Sequence, residues 1–222
     1  MKKILSLLVV ILPWKMKRFL LIKIWKYEID PAAKIGLAYV FPKHLKMNKG
    51  SKIAHFTVAI HLDLILMKEN ASISRSNWIT GFPTNTTSKH FQHQKNRKSE
   101  LIIGKESAIT KNHHIDCTNQ IKIGSHTTIA GYYSQFLTHS INIYESRQDS
   151  APIQIGDYCF VGTNSVILGG STLPSFSVLG AKSMLNKTYT EEYHLYGGSP
   201  AEKIKEISKK ANYFQREKGF VF

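Results

Sequence analysis

Residues 136–140 read FLTHS and residues 112–117 read NHHIDC. Between them they offer one isolated imidazole, His139, and an upstream group of Asn112, His113, His114 and Asp116. A neutral imidazole near physiological pH can take the proton from a hydroxyl as that oxygen forms a new bond, with no covalent enzyme intermediate. A carboxylate such as Asp116 can orient the ring, or it can satisfy backbone amides near a turn, and the residues leave both uses open. Ser134 and Gln135 are weaker candidates. The chain carries ten histidines, so His139 needs support from whatever holds it. His90 and His93 lie in a polar loop where no acid or cysteine completes a metal site, so no metal is expected.

The positioning element is a repeat. Ile155, Val161, Ile167, Leu173, Leu179 and Leu185 recur every six residues, and Gly156, Gly162 and Gly180 directly follow three of them. The same period runs upstream through Ile103, Ile109, Ile115 and Ile121, slips by two, and resumes at Ile123 and Ile129. A degenerate copy is Met67, Ile73, Ile79. A helix does not keep a strict period of six, whereas short strands stacked on three flat sides do, with each aliphatic residue pointing inward. A parallel β-helix is therefore expected, with glycines easing the corners and the two-residue slip read as a bulge. Stacking would then set NHHIDC one coil before His139, able to bring Asn112, His114 or Asp116 beside it.

With 222 residues, 42% of them hydrophobic, the chain can bury a core and fits one domain or one domain with an appendage. Thirty Lys and Arg against fifteen Asp and Glu give a formal charge of +15, which favours anionic partners. Zinc-finger spacing, a recognition-helix pattern and a basic stripe interleaved with aromatics are all missing, so nucleic acid is not the expected partner. Cys117 and Cys159 suggest neither a disulfide framework nor a metal, which suits a reducing, cytoplasmic compartment. The apolar run Ile4–Leu12 is too short to span a bilayer and has no cleavage site after it. Residues 1–26, basic and flanked by Trp14 and Trp25, read either as an amphipathic helix in peripheral contact with the inner face of a membrane or as a helix packed on the protein's own body. Residues 84–99 carry four basic residues and no acid, and read as a solvated loop with an acceptor-binding use. Ile204, Ile207 and Ala211 at helical spacing predict a helix over the open end of the β-helix.

IIGKESAITKNHHIDCTNQIKIG, AGYYSQFLTHS, IQIGDYCFVGT and YGGSPAEKIKEI stand in the order found in the hexapeptide-repeat acyltransferases, which this chain resembles. LPWKMKRFLL, YEIDPAAKIG, NWITGFP, IDC and THSIN resemble, more narrowly, a bacterial subgroup linked with cell-surface polysaccharide synthesis. The resemblance implies an all-β fold, a left-handed parallel β-helix over residues 35–200 with inserted loops at 84–99 and 137–152. An N-terminal amphipathic helical segment over 1–34 and a C-terminal helical cap over 201–222 complete that expectation. It also implies an acetyl-CoA-dependent O-acetyltransferase acting on a sugar hydroxyl of a polysaccharide or its precursor, in a homotrimer, with no metal.

In that reading His139 is the general base and Asn112, His114 and Asp116 meet the acceptor sugar. Thr163 offers its backbone N–H to the oxyanion, Ala181, Asn186 and Lys187 line the coenzyme groove, and Lys205, with Lys203 behind it, meets the nucleotide phosphates. Glu202 stands where a basic residue is common, which puts one phosphate contact in doubt. An N-acetyltransferase acting on an amino sugar, or a β-helix serving only as a scaffold, are the alternatives.

Overall fold

The computed structural model describes residues 2–221, and most of them form a triangular prism of short parallel strands. Two faces have seven strands and one has nine. On the first face Met47, Met67, Ile103, Ile123, Ile155 and Leu173 stack inward, coil upon coil. The second face stacks Ile35, Ile53, Ile73, Ile109, Ile129, Val161, Leu179 and Tyr196. The third stacks Val40, Ala59, Ile79, Ile115, Phe136, Ile167 and Leu185. All of these residues are buried, and each aliphatic one contributes roughly 1.5–3 kcal/mol of transfer free energy. No single coil could gain that burial alone, which is why the repeat and the fold are one property.

The expected bulge at Ile121–Ile123 is absent. Leu101, Ile102 and Ile103 pair with Ile121, Lys122 and Ile123 without a shift in register. First-face strands in this region, Glu100–Ile103 and Ile121–Ile123, present two inward residues instead of one, so the period restarts from the second. The glycines also act differently from the expectation. Corner positions with φ near +60° are held mostly by other residues, among them Asn112, His126, Tyr158, Asn164, Phe176 and Lys182. Gly104, Gly124, Gly156 and Gly162 are needed because coils pass too closely: a Cβ on Gly124 would lie 2.5 Å from the carbonyl of Gly156.

Coiling begins at Glu28–Ile29, inside the segment 1–34 expected to be helical, because Ile29 and Ile35 already belong to the inward ladders. Ahead of it stand two helices, α1 (Lys2–Ile11) and α2 (Trp14–Trp25), packed on the first coil. Val9 and Leu21 enter the core, and the buried Lys17 ammonium donates to the carbonyls of Gly36 at 2.7 Å and Ala38 at 3.3 Å. Burial lowers the Lys17 pKa to about 8. The N-terminal segment therefore does pack on the protein's own body, and it caps the open end with a charge.

The C-terminal helical cap expected over 201–222 is not there. Ala201–Glu206 is a strand antiparallel to His194–Gly198 at the edge of the second face, followed by a single 3-10 turn at Asn212–Phe214. Ile204 is 59% exposed, so the helical spacing that suggested a cap buries little. The unpaired backbone edge of the last parallel strand decides the conformation instead. Phe214 then packs edge-on against Phe176 and Tyr193, in a corner column of aromatics stacked from His126 through Tyr158 to Phe176 and Tyr193 at 4.6, 5.2 and 4.9 Å.

Candidate active site

The corner between the third and first faces is where the repeat opens. One coil inserts the irregular stretch 81–99 there, and two coils later the hairpin His139–Asn142 and Arg147–Ser150 leaves from the same corner. The coil between them carries Asp116, stacked between Thr80 and Leu137. That placement lets one carboxylate reach the root of the hairpin.

Asp116 Oδ2 accepts from His139 Nδ1 at 2.7 Å, from the backbone N–H of His139 at 3.2 Å and of Thr138 at 3.1 Å, and lies 2.9 Å from Thr138 Oγ1. Its Oδ1 accepts from the backbone N–H and hydroxyl of Thr118 at 3.1 and 2.7 Å. The carboxylate thus does both things the residues left open: it orients the imidazole and satisfies the backbone. Burial pushes the Asp116 pKa up, but the bonds from His139, Thr118 and Thr138 outweigh it, and the net shift is downward. The hydrogen bond to Asp116 raises the pKa of His139, with burial opposing. An ionised Asp116 fixes the proton on Nδ1 and leaves the Nε2 lone pair for a substrate.

His139 is half-exposed and lines a cleft of about 390 Å³ together with Ser140, Leu168, Gly169, Asp149 and Asn186. Gly169 is required at its floor, since a Cβ there would lie 2.8 Å from the carbonyl of Thr138. Phe91 meets the His139 ring edge to face at 6.0 Å. Its loop is pinned by Arg97, which donates to the carbonyls of Phe82, Pro83 and Thr118 and covers the Phe91 ring. His93, which sequence suggested for acceptor binding, bonds Asp149 on the hairpin at 2.5 Å. None of Thr118, Thr138, Phe91 or Arg97 was anticipated; the one cue was a lone phenylalanine inside a polar loop.

No family model and no curated protein matches the chain. Among solved structures, polysialic acid O-acetyltransferase OatWY superposes with a TM-score of 0.58 over 81% of this chain and 84% of its own, at 14% identity. The chain shares that fold. A hexapeptide-repeat-containing acetyltransferase, VCA0836 from Vibrio cholerae, is 31% identical over 49% of this chain, at a TM-score of 0.46. The chain spans 63% of that protein's length. The same Vibrio protein has also been solved in complex with acetyl coenzyme A.

Five of the remaining candidate residues divide between the two edges of the third face. Asn186 and Lys187 follow Met184–Leu185 at the His139 edge, and Asn186 lines the cleft. Thr163 and Ala181 lie at the opposite edge, stacked on the corner that also carries Gly131 and Asn112. Asn112 holds a left-handed corner there, and its carbonyl accepts from the backbone N–H of Tyr133 at 2.9 Å. Within one chain Asn112 therefore does not reach His139.

His114 is exposed on the outer face, two positions along the strand from Asp116. His113 is buried in the column of corner residues that otherwise holds Thr57, Asn77, Ser134, Ser165 and Ser183. It bonds Thr110 at 2.9 Å and accepts from the Ser134 N–H at 3.2 Å, and burial lowers its pKa to about 4, so it stays neutral. Lys187 bonds Glu202 at 3.0 Å and Lys203 bonds Glu191 at 2.8 Å, whereas Lys205 is exposed and forms no ion pair among the described residues. The doubt raised by Glu202 thus takes a physical form, because it occupies the lysine nearest the cleft.

Proposed function

We propose that the chain is an acetyl-CoA-dependent O-acetyltransferase acting on a sugar hydroxyl of a polysaccharide or its precursor, with His139 as general base. The observation that carries this is the Asp116–His139 bond at the mouth of a cleft. His139 Nε2 takes the proton as the acceptor oxygen attacks the thioester carbonyl. The tetrahedral intermediate collapses by breaking the carbon–sulfur bond, and the imidazolium returns the proton to the departing thiolate. The products are the ester and free coenzyme A.

The oxyanion would be met by the Thr163 backbone N–H, which has no acceptor among the described residues. Because Thr163 and His139 lie at opposite edges of one face, a groove containing both needs a second copy of the chain, which favours a cyclic trimer. Asn186 and Lys187 on the His139 side, Ala181 on the other, and Lys205 towards the phosphates complete the groove in this reading. Asn112 and His114 would face the acceptor across that same boundary.

The test is thiol release from acetyl-CoA with a panel of sugar acceptors, including amino sugars, for the native protein and His139→Ala. A loss of about 10²–10⁴-fold in turnover with an unchanged melting curve is expected. Turnover equal to the native rate would remove His139 as base, and faster transfer to an amino sugar would favour N-acylation.

A further inference from the structure

The N-terminal helices carry a surface that acyl transfer does not use. Val9 of α1 is buried and the Ser6 hydroxyl lies 2.9 Å from that of Tyr39, so one side of the helix is fixed on the body. The opposite side presents Ile4, Leu7, Leu8 and Ile11, which are 69%, 63%, 55% and 71% exposed. Their spacing of three, one and three places all four on one stripe. Met16 and Phe19 of α2 are also more than half exposed. Lys3, Lys15, Lys23 and Lys26 are exposed in the same segment and form no ion pair among the described residues. The first acidic residue of the chain is Glu28.

We infer that α1 and α2 form a docking surface for an anionic lipid bilayer, with the apolar stripe entering the interface and the four lysines meeting the headgroups. Charge selects this occupant. No helix among the described residues is long and apolar enough to cross a membrane, so a stripe that meets a bilayer lies in its surface. A second copy of the chain seated on the same stripe would set four lysines against four lysines with no acid to offset them, whereas an anionic leaflet attracts each one. Deleting the segment is a poor test, because Val9, Leu21 and Lys17 complete the first coil. Exposed side chains can be changed without touching that contact.

The full-length protein is sedimented with phosphatidylcholine vesicles, with or without phosphatidylglycerol, alongside two variants. One is Ile4→Ser/Leu7→Ser/Leu8→Ser/Ile11→Ser, and the other is Lys3→Gln/Lys15→Gln/Lys23→Gln/Lys26→Gln. Native protein should pellet with the anionic vesicles and release in high salt. Each variant should lose on the order of 100-fold in partitioning while its melting curve and sedimentation coefficient without lipid stay native. Native protein remaining in the supernatant, equal binding to both vesicle types, or variants that bind as the native protein does would overturn the inference. So would a native self-association that the serine variant abolishes, since a second copy would then own the stripe.

Discussion

Replacing Asp116 with Asn keeps the size of the side chain and removes one acceptor, so its effect follows from counting donors. Backbone N–H groups of Thr118, Thr138 and His139 all point at the carboxylate, together with His139 Nδ1 and two threonine hydroxyls. The hydroxyls can rotate, but the backbone N–H groups cannot. Whichever way the amide is turned, its NH₂ faces at least one of them. With the amide oxygen in the Oδ2 position, Thr118 N–H is left unsatisfied. In the other orientation Thr138 and His139 N–H are unsatisfied, and Nδ1 must accept, which moves the ring proton to Nε2. One unsatisfied buried donor costs about 1–3 kcal/mol, or a fall of roughly 2–12 °C in melting temperature for a chain of this size.

In the less costly orientation Nδ1 keeps its proton but faces a neutral oxygen, so the imidazolium formed in the transition state loses its counter-charge, and turnover should fall by up to about 10²–10⁴-fold, the whole of what a general base supplies. The pH profile supplies the independent sign. A base works unprotonated, so native turnover should drop as pH falls through the raised His139 pKa, and in the variant the limb for residual activity should move down toward the ordinary 6.5. Thiol release measured from pH 5 to 9, beside thermal melts, reads both quantities. Native turnover with an unmoved limb in Asp116→Asn would refute the assignment of the carboxylate, whatever happened to stability.

Two further perturbations test the scaffold. Gly124→Ala forces a methyl group to within 2.5 Å of the Gly156 carbonyl, so stability should fall by about 1–3 kcal/mol in a denaturant melt. A loss near zero would mean that the coils can separate. Lys17→Met removes the donor to Gly36 and Ala38, a loss of about 1–3 kcal/mol that should show in full only as pH nears 10.5 and be offset at neutral pH, where the variant escapes the cost of burying a charge. The native Lys17 has a depressed pKa, so its charging penalty is complete below about 8 and is relieved as pH rises toward 10.5. The rise in stability over that window should flatten in the variant, and an identical slope would remove Lys17 as its source.

The ladders were legible because one inward aliphatic residue per strand is both the sequence period and the source of burial. Registers such as Ile155 on Leu173 follow from the period alone. The C-terminal strand is not legible because Ile204, Ile207 and Ala211 satisfy a helical spacing while staying exposed or only partly buried, and the unpaired edge at His194–Gly198 leaves no mark in the sequence. Glycines were visible but their purpose was not, since an approach between coils is a property of two distant segments. At the site, Asp116 was a candidate but its two roles looked exclusive, because a sequence cannot show that six donors converge on two oxygens. Phe91 and Arg97 lay in a stretch with no period at all, and only the fold brings that stretch over His139.

Regular coils also explain why the candidate site lies where it does. Every ladder residue points inward and every outward strand residue belongs to a flat face, so a concave site needs a break in the winding. Both large breaks occur at one corner, separated by a single unbroken coil. That coil is rigid, its strand being hydrogen-bonded to a neighbour on either side, and it carries Asp116 at its corner end. The loop of 81–99 and the hairpin of 139–150 are bound to each other through His93 with Asp149 and Gln94 with Ser150. An imidazole on the hairpin therefore takes its orientation from the regular part of the molecule and its enclosure from the irregular part. Accuracy to a fraction of an ångström is needed from the first and not from the second. This division predicts where substitution is tolerated: widely over the loop surface, and not at all at Asp116.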